Sequence, residues 1–141
     1  MPTTAGHLAE YLAVDIALDT YPYHGTTTTC DALWMGVPVI TLAGEEHRSR
    51  VGVSLLTAVG LQEWVAGSPA EYVVRAVELA RDRPRLAALK AQLRGRMAAS
   101  PLVDGRAFTA KLEAAFAAMM RRPRKRGHVV TLDRRDGDAL G

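Results

Sequence analysis

The sequence has little cysteine and no long apolar run. Cys30 is its single cysteine, which excludes an internal disulfide and fits a reducing compartment. No stretch is long and apolar enough to predict a transmembrane helix. Residues 1–6 lack the basic and apolar regions of a secretory signal peptide. From these observations we expect a cytoplasmic protein with no membrane partner.

Internal repeats are also absent, and the size of the chain suits one domain. Its 141 residues are 48% hydrophobic and 23% charged, which is ordinary for a globular domain. We expect that domain to cover residues 1–121. A basic run, Arg121–Arg126, then opens a charged segment, and residues 122–141 are predicted to be a basic, disordered tail. Nucleic-acid binding is not expected, because no aromatic side chains interleave with these charges.

The stretch Asp15–Leu42 predicts a strand, a helix and a second strand. Ile16–Leu18 is a short apolar run, as expected of a strand covered on both faces. Helical character begins at Thr26–Thr29 and stops at Gly36, and the apolar run Val37–Leu42 follows. Such a βαβ unit has parallel strands, so we expect an α/β fold with a Rossmann-like parallel sheet and flanking helices.

Further helices and one short strand are predicted on either side of this unit. A helix is expected over His7–Val14, with Leu8, Leu12 and Val14 facing inward. A helix over Arg50–Val59, closed by Gly60, and a strand over Leu61–Ala66 are predicted next. Two more helices are then predicted over Pro84–Ala98 and Arg106–Arg121. Between the strand and these two, a helix capped by Ser68 is predicted, whose apolar side carries Tyr72, Val73, Ala76, Val77, Leu79 and Ala80.

Four consecutive threonines, Thr26–Thr29, stand where the helix of the βαβ unit should begin. The first N–H groups of a helix lack internal partners and carry partial positive charge. This point also lies at the carboxyl end of a strand, where open α/β sheets place their ligands. Gly25 would let the backbone approach a ligand closely or adopt a positive φ. The pattern therefore indicates a phosphate site.

A purely structural explanation of the same residues is also open at this point, and local sequence alone favours it. Thr28 precedes Asp31 by three residues, which resembles a capping box with Asp in place of the usual Glu. Such a box would explain both residues without any ligand. A P-loop is not expected, because no Lys follows the glycine-containing turn in the required place.

The motifs of this stretch continue along most of the chain and together resemble one family. The matching segments are Asp15–Thr20, Pro22–Tyr23, Gly25–Asp31, Leu33–Pro38, Ser49–Val51, Ser54–Leu56, Val59–Leu61, Glu71–Tyr72, Ser100–Leu102, Leu112–Glu113 and Met119. They resemble the C-terminal catalytic region of the O-GlcNAc transferase and SPINDLY family of glycosyltransferases. The resemblance covers about residues 7–120.

The resemblance implies a fold, an activity and a set of binding residues. It implies the C-terminal, nucleotide-binding lobe of a GT-B fold, in which two Rossmann-like lobes enclose a sugar nucleotide. Thr27 and Thr28 would contact the diphosphate, with Gly25 and Thr26 beside them, and Asp31 would hydrogen-bond the ribose. His7 falls at a histidine that sits against the nucleotide in this family. The implied reaction is inverting transfer of a sugar to Ser or Thr of proteins, without a catalytic metal or other cofactor.

Two departures from the family pattern bear on the donor. Thr26 stands where the animal O-GlcNAc transferases have His, and the run of threonines is closer to SPINDLY-type proteins. The donor is therefore expected to be UDP-GlcNAc or GDP-fucose. Thr4 stands where the family has a lysine that supports the pyrophosphate.

Three hypotheses follow for the chain as a whole. It is an enzyme fragment that needs an N-terminal lobe or a tetratricopeptide-repeat region in a separate chain, a nucleotide-binding module without catalysis, or a degenerate remnant. For the first, the partners are a nucleotide sugar and a protein with Ser or Thr acceptors. The general base would lie largely in the other lobe, so no catalytic residue is assigned here.

Overall fold

The computed structural model describes residues 4–121. These residues divide into two compact units, the first ending at Phe108 and the second beginning at Thr109. The helices are α1 (Thr4–Glu10), α2 (Thr27–Trp34), α3 (Val51–Ala58), α4 (Pro69–Arg81), α5 (Arg83–Ala98) and α6 (Gly105–Arg121), and the strands are β1 (Ala17–Leu18), β2 (Val39–Leu42) and β3 (Val65–Ala66). The predicted tail, residues 122–141, lies outside the described residues, and the domain boundary at residue 121 stays a prediction.

The three strands form one parallel sheet in the order β1-β2-β3. Ala17 pairs with Val39 in the first ladder, and Thr41 pairs with Val65 in the second. Helix α2 connects β1 to β2, and α3 connects β2 to β3. The predicted α/β class and the predicted parallel βαβ unit are therefore confirmed.

The core of the first unit lies where α2, α3, α4 and α5 pack around β2. Its largest fully buried apolar side chains are Leu33, Ile40, Leu56, Leu61, Leu79 and Leu93. Burial of a Leu or Ile side chain stabilises a fold by roughly 1.5–3 kcal/mol. The predicted spacing of the α5 leucines is confirmed, because Leu86, Leu89, Leu93 and Met97 are all buried.

Two glycines end helices in the left-handed conformation. Gly36 has φ of 80° and follows α2, and Gly60 has φ of 71° and follows α3. After α2 the Val37 N–H donates to the Ala32 carbonyl at 2.8 Å, and after α3 the Leu61 N–H donates to the Leu56 carbonyl at 2.8 Å. These are Schellman bonds, which satisfy the last carbonyls of each helix. Both glycines were predicted to end these helices, and both predictions are confirmed.

Helix α4 begins at a Ser68 cap, as predicted, and the Glu71 side chain bonds the backbone one residue before that cap. Ser68 caps the helix by accepting a hydrogen bond from the Glu71 N–H at 3.2 Å. The Glu71 carboxylate accepts a hydrogen bond from the Gly67 N–H at 2.6 Å, one residue before the cap. This bond lowers the pKa of Glu71, and the nearby Arg75 lowers it further.

Several predictions about burial and strand length were wrong. Leu18 is 55% exposed, because β1 is an edge strand and is not covered on both faces. Leu12 is exposed as well, since α1 ends at Glu10 and a short 3-10 turn follows. Val73 and Val77 are exposed on α4, where only Leu79 is fully buried. The predicted strand over residues 61–66 is a 3-10 turn followed by the two residues of β3.

Helix α6 carries large apolar side chains that are exposed, namely Phe108, Leu112, Phe116 and Met119. In the part of the chain that the structure describes, no helix combines the length and the apolar character needed to cross a bilayer.

The two helix-ending glycines allow a paired test of their conformational role. Gly60→Ala places a Cβ in open space, so it should cost only the left-handed strain of an L-residue, about 1 kcal/mol. Gly36→Ala should cost more, because its Cβ would lie 3.2 Å from the Lys90 carbonyl oxygen. Urea unfolding of both variants beside the parent chain measures the two losses. A smaller loss for Gly36→Ala than for Gly60→Ala would contradict this account.

Candidate functional site

The threonine run forms the start of α2, and the N–H groups and hydroxyls of Thr27 and Thr28 are uncommitted. Helix α2 begins at Thr27, and Thr26 occupies the position before it without a side-chain cap bond. Within residues 4–121, the N–H groups of Thr27 and Thr28 donate to no acceptor. The side chains of Thr26, Thr27 and Thr28 are exposed. These donors are available to an anion, as the first turn of a helix provides.

The capping-box alternative does not describe this helix start. Thr28 is the second residue of α2 and therefore cannot cap it. The Asp31 side chain lies one turn further along, half-buried, and makes no hydrogen bond within the described part of the chain. Thr27, Thr28 and Asp31 share one helix face, because they are three and four residues apart. This leaves both hydroxyls and the carboxylate free to meet a ligand.

Gly25 is required by crowding rather than by its φ angle. Among the described residues, only Gly36 and Gly60 have positive φ. A Cβ at Gly25 would overlap the Thr28 hydroxyl and would lie 2.9 Å from the Thr29 hydroxyl. Thr29 is itself buried and donates to the Gly25 carbonyl at 3.1 Å. The groups that approach the Gly25 backbone closely are therefore the Thr28 and Thr29 hydroxyls in the first turn of α2.

A cleft of about 150 Å³ opens beside this helix start, at the carboxyl end of β1. Its lining residues are Tyr11, Ala17, Leu18, Asp19, Thr20, Gly25, Thr28, Thr29 and Ala32. A second cleft of about 320 Å³ lies on the other side of the threonine run. It is lined by Thr26, His47, Arg50, Val51, Ser54 and Leu55.

His7 approaches the same region through Tyr11. The His7 ring is exposed and meets the Tyr11 ring edge-on, with 5.7 Å between the ring centroids. The Tyr11 hydroxyl donates to the Thr28 carbonyl at 3.3 Å. Burial raises the pKa of Tyr11, and the negative charge of Asp31 raises it further. Tyr11 thus connects the predicted histidine to the predicted diphosphate site.

The structure also holds a buried polar cluster that the sequence did not reveal. It consists of Asp19 after β1, His24 in the following loop, Thr41 of β2 and the Gly52 N–H of α3. The Asp19 Oδ1 atom accepts from the Gly25 N–H at 2.9 Å, and its Oδ2 atom accepts from the Thr41 hydroxyl at 2.8 Å. We call these four residues the Asp19 cluster.

The hydrogen bonds fix the tautomer of His24 in this cluster. Its Nδ1 atom accepts from the Gly52 N–H at 3.0 Å, so the proton of the neutral ring is on Nε2. Nε2 lies 3.0 Å from the Leu42 carbonyl oxygen, to which it donates. The ring is almost fully buried, and its two hydrogen bonds join the loop to β2 and α3.

Only one sequence signal could have pointed to this cluster. Asp19 is a charged residue directly after an apolar strand, at the sheet edge where ligands bind. His24 gave no separate signal, because it stands among loop-forming residues. Glu45, Glu46 and His47, which follow β2, are exposed. Among residues 4–121 there is no group of three or more His, Cys, Asp or Glu side chains that could hold a metal ion.

Comparison with known sequences decides the family. The sequence pattern of Glycosyl transferase family 41 matches residues 4–112. The chain belongs to glycosyltransferase family 41. The matched range contains every residue that the sequence analysis assigned to a nucleotide site, from His7 to Asp31, so the predicted family is confirmed. The individual roles of those residues stay predictions.

Plant relatives of this family 41 chain are identical to it at about half of the aligned residues. It is 54% identical over 116 residues to a protein of Oryza sativa subsp. japonica named probable UDP-N-acetylglucosamine–peptide N-acetylglucosaminyltransferase SPINDLY. That alignment covers 82% of this chain and 12% of the relative. The SPINDLY protein of Arabidopsis thaliana is 48% identical over 128 residues, which are 91% of this chain and 14% of the relative.

An O-GlcNAc transferase of known structure has the same fold over most of this chain. A mutant O-GlcNAc transferase of Thermobaculum terrenum superimposes with a TM-score of 0.79 at 46% identity, over 86% of this chain and 23% of that one. This match agrees with the predicted lobe of a GT-B fold. The family 41 chain thus spans a small part of the proteins that it resembles.

Alanine usually favours a helix over glycine, but the crowding around Gly52 predicts that Gly52→Ala destabilises the fold. A Cβ on Gly52 would overlap Asp19 and Thr41 and lie 3.0 Å from the His24 Nδ1 atom. We expect Gly52→Ala to lose about 1–3 kcal/mol of unfolding free energy, as overpacked sites do. Gly95→Ala, in α5 with open space around it, is the matched control and should gain up to about 1 kcal/mol. Equal effects in urea unfolding would show that the cluster leaves room at Gly52.

Proposed function

We propose that this chain is the donor-binding lobe of a protein O-glycosyltransferase. In this proposal it holds a nucleotide sugar while a second lobe completes the active site, and the sugar passes with inversion to a Ser or Thr hydroxyl of a protein. The observation that carries the proposal is the open start of α2, where the N–H groups and hydroxyls of Thr27 and Thr28 are uncommitted within residues 4–121. Membership of family 41 supplies the reaction class.

The proposed chemistry of this lobe is stabilisation of the leaving group. As the bond from the sugar to the diphosphate breaks, negative charge grows on the phosphate oxygens. Donors at the start of α2 are already aimed and need no reorganisation, which is the condition for strong electrostatic stabilisation. We assign the diphosphate to Thr27 and Thr28, with Gly25 and Thr26 beside them. No metal or other cofactor is included in this proposal.

The remaining predicted residues would hold the nucleoside. Asp31 lies one turn along α2 from Thr27, with a carboxylate that can accept hydrogen bonds from ribose hydroxyls. His7 is exposed beside Tyr11, which contacts Thr28, and these contacts support the proposal that its ring meets the nucleotide. The names of the plant relatives favour UDP-GlcNAc, and GDP-fucose is the alternative donor.

A calorimetric titration of the full chain with UDP and with GDP tests the proposal. Binding of either nucleotide supports a donor lobe, and the tighter one gives the donor class. The absence of heat with both, in a chain shown to be folded, would overturn the proposal. Catalysis is tested separately, by adding candidate partner lobes and measuring transfer to a protein acceptor.

Removal of the two central hydroxyls should abolish most diphosphate affinity. The double variant Thr27→Ala with Thr28→Ala should bind the preferred nucleotide at least about tenfold more weakly, as loss of two hydrogen bonds to charged oxygens implies. Stability should change by no more than about 1 kcal/mol, because neither hydroxyl caps the helix. Thr57→Ala, an exposed threonine of α3, is the control. Unchanged affinity in the double variant would refute the assigned diphosphate contacts.

Asp31 is expected to affect the nucleoside and not the phosphates. Asp31→Asn should weaken nucleoside diphosphate binding more than pyrophosphate binding, since only the former offers ribose hydroxyls. Competition titrations with both ligands measure the two losses. Equal losses would mean that Asp31 acts on the helix and not on the ribose.

A further inference from the structure

The Asp19 side chain is buried, with 2% of its surface exposed, yet it lines the cleft beside the threonine run. Each of its oxygens has a different partner. Oδ1 accepts from the Gly25 N–H at 2.9 Å, and Oδ2 accepts from the Thr41 hydroxyl at 2.8 Å. A buried carboxylate is costly unless donors reach it, and hydrogen bonds to a charged acceptor are about twice as strong as neutral ones.

The bond to Gly25 has a consequence for the start of α2. Gly25 directly precedes Thr26, and the Thr29 hydroxyl donates to its carbonyl at 3.1 Å. Asp19 therefore spans the loop from the end of β1 and holds Gly25, the residue just before the N-cap position of α2. The backbone of Asp19 is held in turn, because the Tyr72 hydroxyl donates to its carbonyl at 2.7 Å.

We infer that Asp19 is a positioning residue for the diphosphate site. This inference rests on the proposed function. The carboxylate fixes the Gly25 N–H, and through it the direction of the first N–H groups of α2, without touching the ligand. Thr41 completes the hydrogen bonding of the carboxylate from behind but does not contact Gly25.

Positioning and simple electrostatic repulsion predict opposite effects of removing the Asp19 charge on diphosphate affinity. A carboxylate in the cleft that receives a diphosphate repels it, so loss of the charge alone should tighten binding. Positioning predicts weaker binding when the acceptor for Gly25 is lost. The two accounts therefore differ in the sign of the change and not only in its size.

Three variants separate the explanations. Asp19→Ala removes the charge and the acceptor. Asp19→Asn removes the charge but keeps an oxygen for the Gly25 N–H, while its amide can donate to the Thr41 oxygen. Thr41→Val removes the second partner of the carboxylate and leaves the Gly25 bond in place. Affinity for UDP or GDP, whichever the parent binds tighter, is measured by calorimetry on the full chain, with unfolding stability measured in parallel.

We expect Asp19→Ala to bind at least about tenfold more weakly than the parent. Asp19→Asn should recover most of that loss, and Thr41→Val should lose stability while its affinity stays within about threefold of the parent. Equal affinity losses in Asp19→Ala and Thr41→Val would overturn positioning in favour of general destabilisation. Unchanged or tighter binding by Asp19→Ala would overturn it in favour of simple repulsion.

A measurement on the parent chain keeps the inference testable if Asp19→Ala does not fold. The Gly25 amide proton should exchange with solvent as slowly as amide protons of β2, because it is bonded to a buried acceptor. Exchange at the rate of an open loop would overturn the inference. If the parent binds neither UDP nor GDP, the proposed function and the inference fail together. If it binds and the variants do not differ, the inference fails alone.

Discussion

A carboxylate buried at the end of a strand needs hydrogen-bond donors, and the loops around the candidate site are arranged to supply them. Asp19 takes one donor from Gly25 and one from Thr41 of β2. The adjacent His24 ring joins β2 to the Gly52 N–H of α3, where any side chain on residue 52 would collide with the cluster. The sheet edge, the loop after β1 and the starts of α2 and α3 are thus connected by one set of buried bonds. Within that set, the bond from the Gly25 N–H to Asp19 is the one that we infer to position the threonine N–H groups.

The parts of the fold that could be predicted from the sequence are those fixed by local rules. Gly36 and Gly60 end helices because only glycine adopts positive φ without strain, and Ser68 caps a helix through its own hydroxyl. Apolar periodicity gave the α5 core face correctly but misjudged Leu12 and Val73. A period shows that a segment has an apolar face, but whether another element covers that face depends on tertiary packing.

The candidate site also has residues that local rules predict and residues that only the three-dimensional structure brings together. The threonine run was visible because it occupies consecutive positions at a predicted helix start. Local spacing could not choose between a phosphate site and a Thr28–Asp31 cap, and the observed start of α2 at Thr27 removes the cap. The bond between Asp19 and Thr41 joins residues 22 positions apart, so no short motif contains it. Family 41 membership supplies the reaction class, while the nucleotide contacts follow from the geometry as a proposal.

The most direct test of the central claim is a map of backbone amide chemical shifts in the ¹⁵N-labelled full chain as nucleoside diphosphate is added. The account predicts that the largest shifts fall on Gly25 to Cys30, at the start of α2, with smaller shifts at His7 and Tyr11. A dominant response at His47, Arg50 and Ser54 would place the ligand in the second cleft and contradict the proposed site. No response anywhere, at a concentration that saturates the calorimetric signal, would contradict it as well.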